Sequence, residues 1–538
     1  MSEAEEKVKR LSDIRPKNIS IGSNSKITLA DIKHFCDFSE STVTLDKNSL
    51  EKMKISQRFF SSYLDKRVPI YGANTQFGDQ VRLMEGNLKG DTNTYYQSIT
   101  ERQQNLIKSH TCGMGDAVPR EVVKVAMLLR AHCLSQGYSG VSPEVVETII
   151  SCVNAGIVPR VPKYGSIGAS GDLIPLATIA AALIGQDVTV EYQNRTMSAQ
   201  QAFQLANIKP LNVQNRDGLA LINGTSFMTA IASVSLCALE RLFKQLLTSI
   251  AITLEALMVI DTAYHPLVHQ LKRQKGQQEV NQFFLDFWQG SQLITHLGKL
   301  EAEIGHDDFG SNRAIQDYYS LRAVAQGFGP FNENLETAIA WVENEVNSLN
   351  DNPIMDISGN QLLNNANFMG YYVTDACDIL KMNIAQASTW VHALLANLVH
   401  PRKNHNLPGN LVENPLTQNG FRPIQLLAAS LAVQNRKLAQ SQQAYSLPTE
   451  GDNQDVNSLG THAAFDFREA VINLERLTAI LLLAGVQALE FRGTEKASPK
   501  AQNIHRIIRQ YSPTIRQCRP LQDELELVVD LLRTEKIH

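Results

Sequence analysis

The sequence predicts a mainly α-helical protein, in which a mixed N-terminal portion with a glycine-rich loop precedes a large antiparallel helical bundle. The stretch from Thr225 to His265 contains neither glycine nor proline, and its apolar residues recur at three- and four-residue spacing. Similar runs occupy 331–350, 371–399, 424–445, 461–484 and 521–534. By contrast, only two short segments alternate apolar and polar residues as strands do.

The first of these strand signals lies at 18–30, where Ile19, Ile21 and Ile27 alternate with polar residues around a Gly-Ser-Asn-Ser turn. The second lies at 188–199, in VTVEYQNRTMSA. Each pattern predicts a short hairpin, and no other segment is predicted to form strands.

A helix is predicted after Ser142. This serine offers an N-cap, Pro143 suits the first turn, and Glu144 lies near the positive end of the helix dipole. Apolar residues then repeat at helical spacing until Gly156 ends the run.

No linker rich in glycine, serine or proline divides the chain. Weak boundaries fall near Asp217-Gly218 and at 401–410, PRKNHNLPGN. We therefore predict an N-terminal domain at 1–217, which carries the glycine-rich loop, and a helical-bundle domain at 218–538.

The composition argues against several classes of protein. With 538 residues, a formal net charge of −4 and 43% hydrophobic residues, the chain gives no reason to expect nucleic acid or a membrane surface as partner. Glu240, Arg241 and Lys244 interrupt the most apolar run, so it is not predicted to span a membrane.

The N-terminal sequence and the cysteines predict a cytoplasmic protein. The N-terminus, MSEAEEKVKRLSD, is charged, is expected to fray and has no apolar core of a signal peptide. Seven dispersed cysteines without CxxC spacing predict reduced thiols and no zinc site. No metal is expected.

The stretch that organises the chain is VPKYGSIGASGDLIPLA at 161–177, where Gly165, Gly168 and Gly171 surround Ala169-Ser170-Gly171. Glycines allow a loop so tight that the Gly171 amide nitrogen can meet the Ala169 carbonyl carbon. Cyclisation with loss of water, and loss of water from Ser170, would leave a methylidene electrophile that no ordinary side chain supplies. The alternative is a plain turn before a helix, which could bind an anion.

Other candidate residues lie far apart in the sequence. Tyr71 precedes a flexible Gly-Ala-Asn-Thr stretch and could act as a base if its pKa were lowered, or it could be a core aromatic. Asn223 lies at the start of the longest helical run and could meet a substrate or cap the helix. Ser109 and His110 form a polar pair, although a lone histidine is more often structural.

In QDYYSLR, the residues Gln316, Tyr319 and Arg322 are spaced to lie near one helix face, where an arginine fork suits a carboxylate or stays a solvated charge. Glu450 and Gln454, in the polar loop LPTEGDNQDVNSLG, could manage an amino group, although surface loops often have this composition. Asn-rich segments between helices add Asn352 and Phe368.

Taken together, GSIGASGDLIPLA, IYG, INGT, QDYYSLR, NDNP, ANF and NQDVNSLG resemble the histidine and aromatic amino-acid ammonia-lyase family, from about residue 20 to the RG at 492–493. The resemblance implies that Ala169, Ser170 and Gly171 form 4-methylideneimidazol-5-one (MIO). It also implies a homotetramer with active sites built from several subunits.

The resemblance further implies roles for individual residues. Tyr71 would take the β-proton, and Arg322 would clamp the substrate carboxylate. The remaining matches would support the cofactor, the substrate or its amine: Asn223, Tyr319, Asn352, Phe368, Gln316, Glu450 and Gln454.

The expected substrate follows from smaller differences between this sequence and members of the family. Gln454 stands where histidine-specific members carry glutamate, which favours an aromatic substrate. The resemblance implies that the polar pair Ser109-His110 lies where the aromatic members carry their ring-selecting residues, which favours tyrosine over phenylalanine, although histidine-specific members carry a similar pair.

An ammonia-lyase is expected ahead of a tyrosine 2,3-aminomutase, because glycines at 72, 78, 86 and 90 predict a mobile lid. Ala323, the alanine before Asn367-Phe368, and the Ser-Leu-Pro at 446–448 resemble the aminomutases instead. An inactive scaffold of the same fold is the third alternative.

Overall fold

A computed structural model describes residues 17–82, 91–304, 315–534 and 536–537. The N-terminal residues expected to fray, and Gly86 and Gly90 of the predicted lid, lie outside them. The described residues are mainly helical, which confirms the predicted fold class.

The chain forms two compact units, each built from separate stretches of sequence. Unit 1 comprises Met1–Cys237, Ile339–Cys377 and Ser441–Phe465, and unit 2 comprises Ala238–Ala338, Asp378–Gln440 and Asp466–His538. The predicted domains, 1–217 and 218–538, follow the order of the chain, and that division stays a prediction.

Short helices and small sheets make up most of unit 1. Its helices are α1 (Leu29–Asp37), α2 (Lys47–Asp65), α3 (Thr92–His110), α4 (Arg120–Ser135), α5 (Pro143–Ala155), α6 (Leu173–Leu183), α7 (Ala199–Ala206) and α8 (Asp217–Ile222). Its strands are β1 (Asn18–Ile21), β2 (Thr42–Leu45), β3 (Met114–Ala117), β4 (Val158–Pro159), β5 (Pro162–Tyr164), β6 (Thr189–Tyr192), β7 (Arg195–Ser198), β8 (Ile354–Asp356) and β9 (Gln361–Leu363).

One predicted hairpin is confirmed and the other is wrong. Strands β6 and β7 pair antiparallel, with Tyr192 opposite Arg195, as predicted for 188–199. Strand β1 does not fold back on the residues that follow it. It pairs in parallel with β2 across helix α1, because Thr28 caps α1 and turns the chain into a helix after Ile27. The expectation that no other segment forms strands is also wrong, since β2 to β5, β8 and β9 are strands.

Helix α5 begins and ends where the sequence predicts. Ser142 is its N-cap, Pro143 is its first residue, and Gly156 ends it with a φ of 75°. The Ser142 hydroxyl makes no capping bond, because it donates to Asp217 Oδ2 at 3.0 Å.

The helices that follow range in length from 4 to 33 residues. They are α9 (Ser226–Ala256), α10 (Pro266–Lys272), α11 (Lys275–Phe287), α12 (Leu297–Ile304), α13 (Tyr319–Arg322), α14 (Val324–Val346), α15 (Tyr371–Val399), α16 (Arg422–Leu438), α17 (Gly460–Arg492), α18 (Pro499–Ile508) and α19 (Gln522–Arg533). Four of the five unit boundaries fall inside α9, α14, α15 and α17, and the fifth follows α16.

A buried polar chain links three of these helices within unit 2. Asn435 Nδ2 on α16 donates to Ser388 Oγ on α15 at 2.9 Å, and Asn473 Nδ2 on α17 donates to Asn435 Oδ1 at 3.1 Å. Because each buried amide needs its partner, these bonds fix the helices' relative positions along the bundle.

Among the described helices, α9 is long and apolar enough to cross a membrane by composition alone. Its most apolar window is 78% buried inside the protein, as in the core helix of a bundle.

Candidate active site

The glycine-rich loop lies between β5 and α6 and is folded tightly against residue 224. Gly168 and Gly171 have φ values of 67° and 64°. A Cβ on Gly171 would lie 2.2 Å from the Gly224 carbonyl oxygen, so only glycine fits there. The Asp172 amide also donates to that oxygen, at 2.8 Å. Two of the three glycines thus adopt the left-handed backbone that glycine permits, and the approach of the Gly171 nitrogen to the Ala169 carbonyl carbon stays a prediction.

Three predicted residues are joined at this loop. Ser170 Oγ donates to Asn223 Oδ1 at 2.9 Å, and Asn223 is almost fully buried at the end of α8. Asn223 Nδ2 donates to the backbone carbonyl oxygen of Asn352 at 3.5 Å. Asn352 Oδ1 in turn accepts from the backbone amide of Asn365 at 2.9 Å. The Ser170 side chain is thus held by the side-chain amide of a buried residue.

The sequence analysis missed the carboxyl group that holds the loop, that of Asp172. It is fully buried, and it accepts from the Met228 amide at 2.8 Å, from Ser166 Oγ at 2.8 Å and from Thr461 Oγ1. Burial raises its pKa to about 6, against these bonds, which lower it. The sequence offered one sign of this role, which is that Asp172 is the acidic residue between the glycine-rich loop and the apolar run that follows it.

A cavity of about 360 Å³ opens beside the loop and brings distant predicted residues together. Its lining contains the whole Ala169-Ser170-Gly171 tripeptide with Ser109, His110, Glu450 and Gln454. Cys112, Ser166, Ile174 and Thr449, which the sequence analysis did not single out, line it as well. Tyr71, Asn223, Asn352 and Phe368 belong to the same unit but do not line this cavity.

The hydrogen bonds of His110 determine what its ring offers to the cavity. Its Nδ1 lies 2.9 Å from the Leu106 carbonyl oxygen and 3.3 Å from Ser109 Oγ. A carbonyl only accepts, so we assign the hydrogen to Nδ1. In the neutral ring, Nε2 is then the hydrogen-bond acceptor.

Glu450 and Gln454 occupy one loop. The Thr449 hydroxyl donates to Gln454 Oε1 at 2.9 Å, which assigns the amide and leaves Gln454 Nε2 as a donor. Desolvation raises the pKa of Glu450, His110 lowers it whenever its ring is protonated, and the nearby carboxylate of Asp79 raises it further.

Tyr71 is anchored at the edge of a buried cluster. Its neighbour Ile70 is buried, and Asn74 Nδ2 donates to Tyr95 Oη at 2.9 Å and to the Val68 carbonyl oxygen at 2.8 Å. Burial raises the pKa of Tyr71 and the charge of Glu450 raises it further, although a bond from the Gly78 amide lowers it. The described residues thus favour the protonated phenol.

Gln316, Tyr319 and Arg322 belong to unit 2. The Arg322 guanidinium lies 4.7 Å from the centre of the Tyr319 ring, and its Nε is buried without a partner among the described residues. The Tyr319 side chain is 75% exposed.

The predicted helix face is correct for Tyr319 and Arg322 and wrong for Gln316, which lies outside α13. The next residue, Asp317, is held away from the helix because its carboxylate accepts from the Ile260 amide at 2.7 Å.

Phe368 is half-buried in the turn before α15. Within the described residues, no cluster of three histidine, cysteine, aspartate or glutamate residues could hold a metal ion.

Comparisons with known proteins agree with this site. The family model described as "Aromatic amino acid lyase" matches residues 27–510. A histidine ammonia-lyase from Geobacillus thermodenitrificans is 33% identical over 511 residues, which are 95% of this chain and 96% of that protein. A tyrosine 2,3-aminomutase from Chondromyces crocatus is 34% identical over 513 residues, or 94% of each chain.

A solved structure is similar over nearly the whole chain. It is the tyrosine aminomutase from Streptomyces globisporus, with a TM-score of 0.89, 28% sequence identity and coverage of 97% of both chains. The extent of the family match confirms the resemblance inferred from the motifs. The chain therefore belongs to the aromatic amino acid lyase family, as an ammonia-lyase or a 2,3-aminomutase.

Proposed function

We propose that the protein is an ammonia-lyase that removes ammonia from an aromatic L-amino acid, tyrosine before phenylalanine, to give the trans-arylacrylate. The observation that carries the proposal is one cavity lined by the Ala169-Ser170-Gly171 loop, His110 and Gln454. The loop can supply an electrophile, and the two side chains present an acceptor and a donor to a polar ring.

The residues at the loop fit a MIO group. Gly171 has room for no side chain and has a φ of 64°, and Asn223 holds Ser170 Oγ, which suits a loop whose backbone closes through the Gly171 nitrogen. A MIO group formed there supplies an electrophile for the substrate's amino group, which becomes a better leaving group. Asp172 holds the following turn in place.

Recognition of the aromatic ring is assigned to His110. A phenol hydroxyl can donate to His110 Nε2, because Nδ1 is already bonded to the Leu106 carbonyl. Phenylalanine would leave that acceptor without a partner, which costs binding free energy. Gln454 is uncharged, so it offers no counter-charge to an imidazolium ring.

Proton transfer is assigned to Tyr71. The carboxylate of Glu450 is one of the two causes of the raised pKa of Tyr71. A substrate ammonium group beside Glu450 would offset that charge and lower the pKa of Tyr71, so that more of the phenolate base would be present. Arg322 is assigned to the substrate carboxylate, since a planar guanidinium suits a bidentate pair.

A tyrosine 2,3-aminomutase is the second candidate. The similarity to the aminomutases of Chondromyces crocatus and Streptomyces globisporus favours it, as do Ala323 and the Ser-Leu-Pro at 446–448. The two reactions differ in whether ammonia returns to the β-carbon before the unsaturated acid leaves. We also propose a cytoplasmic homotetramer.

The test is incubation of the protein with L-tyrosine, L-phenylalanine and L-histidine in separate reactions. We expect coumarate to form fastest, and Ser170→Ala to lose nearly all turnover and the near-ultraviolet absorbance of the cofactor with an unchanged circular dichroism spectrum. Early β-tyrosine in excess of coumarate would establish the aminomutase instead. Substantial turnover by Ser170→Ala would overturn the cofactor assignment, and urocanate as the main product would overturn the substrate.

A further inference from the structure

Unit 2 contains a cavity of about 730 Å³ that none of the predicted active-site residues lines. Parts of helices α16, α17 and α19 form its walls, together with the segment that precedes α19. Its volume lies within the roughly 300–1,000 Å³ typical of small-molecule sites. The cavity is therefore large enough to hold a ligand.

The walls of this cavity are mainly apolar. Ile424 and Leu427 on α16 face the same space as Ile480 on α17 and Leu525 and Val529 on α19. Leu427 keeps 43% of its surface exposed in the described chain. An apolar body placed here would remove such surface from water, which is favourable.

One arginine in the lining has no partner. Arg476 on α17 is half-buried, and within the described part of the chain no hydrogen bond or ion pair joins it to another group. A partly desolvated guanidinium without an anion is unfavourable, so a bound carboxylate would stabilise it.

Arg519 and Glu526 carry the other charges of the lining. Arg519 Nε and Nη2 donate to the two carboxylate oxygens of Glu524 at 2.7 and 3.0 Å. Glu526 is exposed to solvent and interacts at longer range with the charge of Arg533, which is itself paired with Glu475. Arg476 is thus a half-buried guanidinium without an anion among the described residues, beside walls that are mainly apolar.

We propose that this cavity binds an amphipathic monocarboxylate, a small acid with one apolar body. Its carboxylate pairs with Arg476, and its body lies between α16, α17 and α19. The proposal does not depend on the reaction at the other site.

A cysteine offers a reporter for occupancy. Cys518 lines this cavity, and Cys112 lines the cavity beside the glycine-rich loop; both are exposed. The experiment treats the full chain with iodoacetamide, with and without decanoate below its micellar concentration, and follows both cysteines by peptide mass spectrometry. We expect decanoate to slow labelling of Cys518 several-fold and to leave Cys112 unchanged, and decan-1-ol to protect much less.

Variants test the charge. Arg476→Gln should require roughly ten- to hundredfold more decanoate for the same protection, and Arg476→Lys should keep part of it. Arg506→Gln, at an exposed arginine on α18, is the matched control and should behave as the wild type.

Several results would overturn the proposal. They are absent protection in the wild type, equal protection by decanoate and decan-1-ol, or unchanged protection in a folded Arg476→Gln. Labelling of Cys518 that is slow without ligand and rises on dilution would show that a second copy of the chain covers the cavity. If Arg476→Gln does not fold, the comparison of acid with alcohol on the wild-type protein decides.

Discussion

Asp172 combines two properties that oppose each other at the scale of a single residue. Its carboxyl group is fully buried, yet it accepts bonds from three groups that fix the start of α9 and the reactive loop. Since burial raises its pKa to about 6, the folded protein holds this proton more tightly than the unfolded chain, whose ordinary value is 3.8.

The first prediction follows from that difference in pKa. The stability that the Asp172 carboxyl contributes should be fully present below pH 4 and should be lost as pH rises through about 6. The stability of the wild type relative to Asp172→Asn should therefore fall by about 3 kcal/mol at most over this range, and stay constant above it. Denaturant midpoints at a series of pH values measure it, and a difference independent of pH would contradict the assignment.

The second prediction concerns His110. Because His110 Nε2 is the acceptor for a phenol, His110→Phe should lower kcat/KM for tyrosine relative to phenylalanine by about tenfold or more. The ratio is measured with both amino acids in each variant. Cys112→Ser, which lines the same cavity, is the control and should leave the ratio unchanged. An unaltered ratio in His110→Phe would remove this residue from ring selection.

Some residues of the candidate site could be predicted from the sequence and others could not. Ser170 and Gly171 were predictable because the glycines that permit the tight loop are its close neighbours in the chain. Asp172 was not, because its partners Met228 and Thr461 are remote in sequence and only the fold brings them to it.

Helices and strands that depend on local sequence could be predicted, whereas a strand pairing between distant segments could not. The hairpin of β6 and β7 is closed by its own turn, so its sequence predicts it. The partner of β1 lies beyond a helix, and nothing in residues 18–30 specifies β2. The long helices were predictable because each carries its own apolar pattern.

The third prediction concerns the crossing of α11 and α14. A Cβ on Gly276 would lie 2.4 Å from the Gly329 carbonyl oxygen, and one on Gly329 would lie 2.6 Å from the Gln277 nitrogen. Two helices pack here backbone against backbone, so Gly329→Ala should lower the free energy of unfolding by about 1–3 kcal/mol. Chemical denaturation measures it.

A helical glycine with free space is the matched control for that substitution. A Cβ on Gly298 in α12 would meet no atom of the described residues within 4 Å. Gly298→Ala should therefore stabilise the protein by up to about 1 kcal/mol. Equal effects at the two positions would show that α11 and α14 do not pack closely at Gly329.

In the whole molecule, the two units interleave along the chain. Segments 339–377 and 441–465 return to unit 1 after the chain has entered unit 2. Sequence composition changes little at those boundaries, because they fall inside continuous helices or beside them, so no linker marks them.

The fourth prediction tests the proposed homotetramer with shared sites. If Ser170 and Arg322 of one site come from different chains, inactive Ser170→Ala and inactive Arg322→Ala chains should restore activity when they are expressed together. Random assembly would give about a quarter of wild-type activity, since each site needs one intact residue from each chain type. Sedimentation measures the assembly, and each variant expressed alone is the control. No recovery in mixed tetramers would place both residues in one chain.

The bond from Thr461 to Asp172 spans 289 residues of sequence, and this separation has a consequence for synthesis. A ribosome adds roughly 5–20 residues per second, so the reactive tripeptide leaves it about 15–60 s before Thr461 exists. Throughout that interval the loop has neither this hydroxyl nor the Glu450 and Gln454 side of its cavity. Backbone cyclisation is therefore expected as a late event in the life of each chain, after Thr461 has been added.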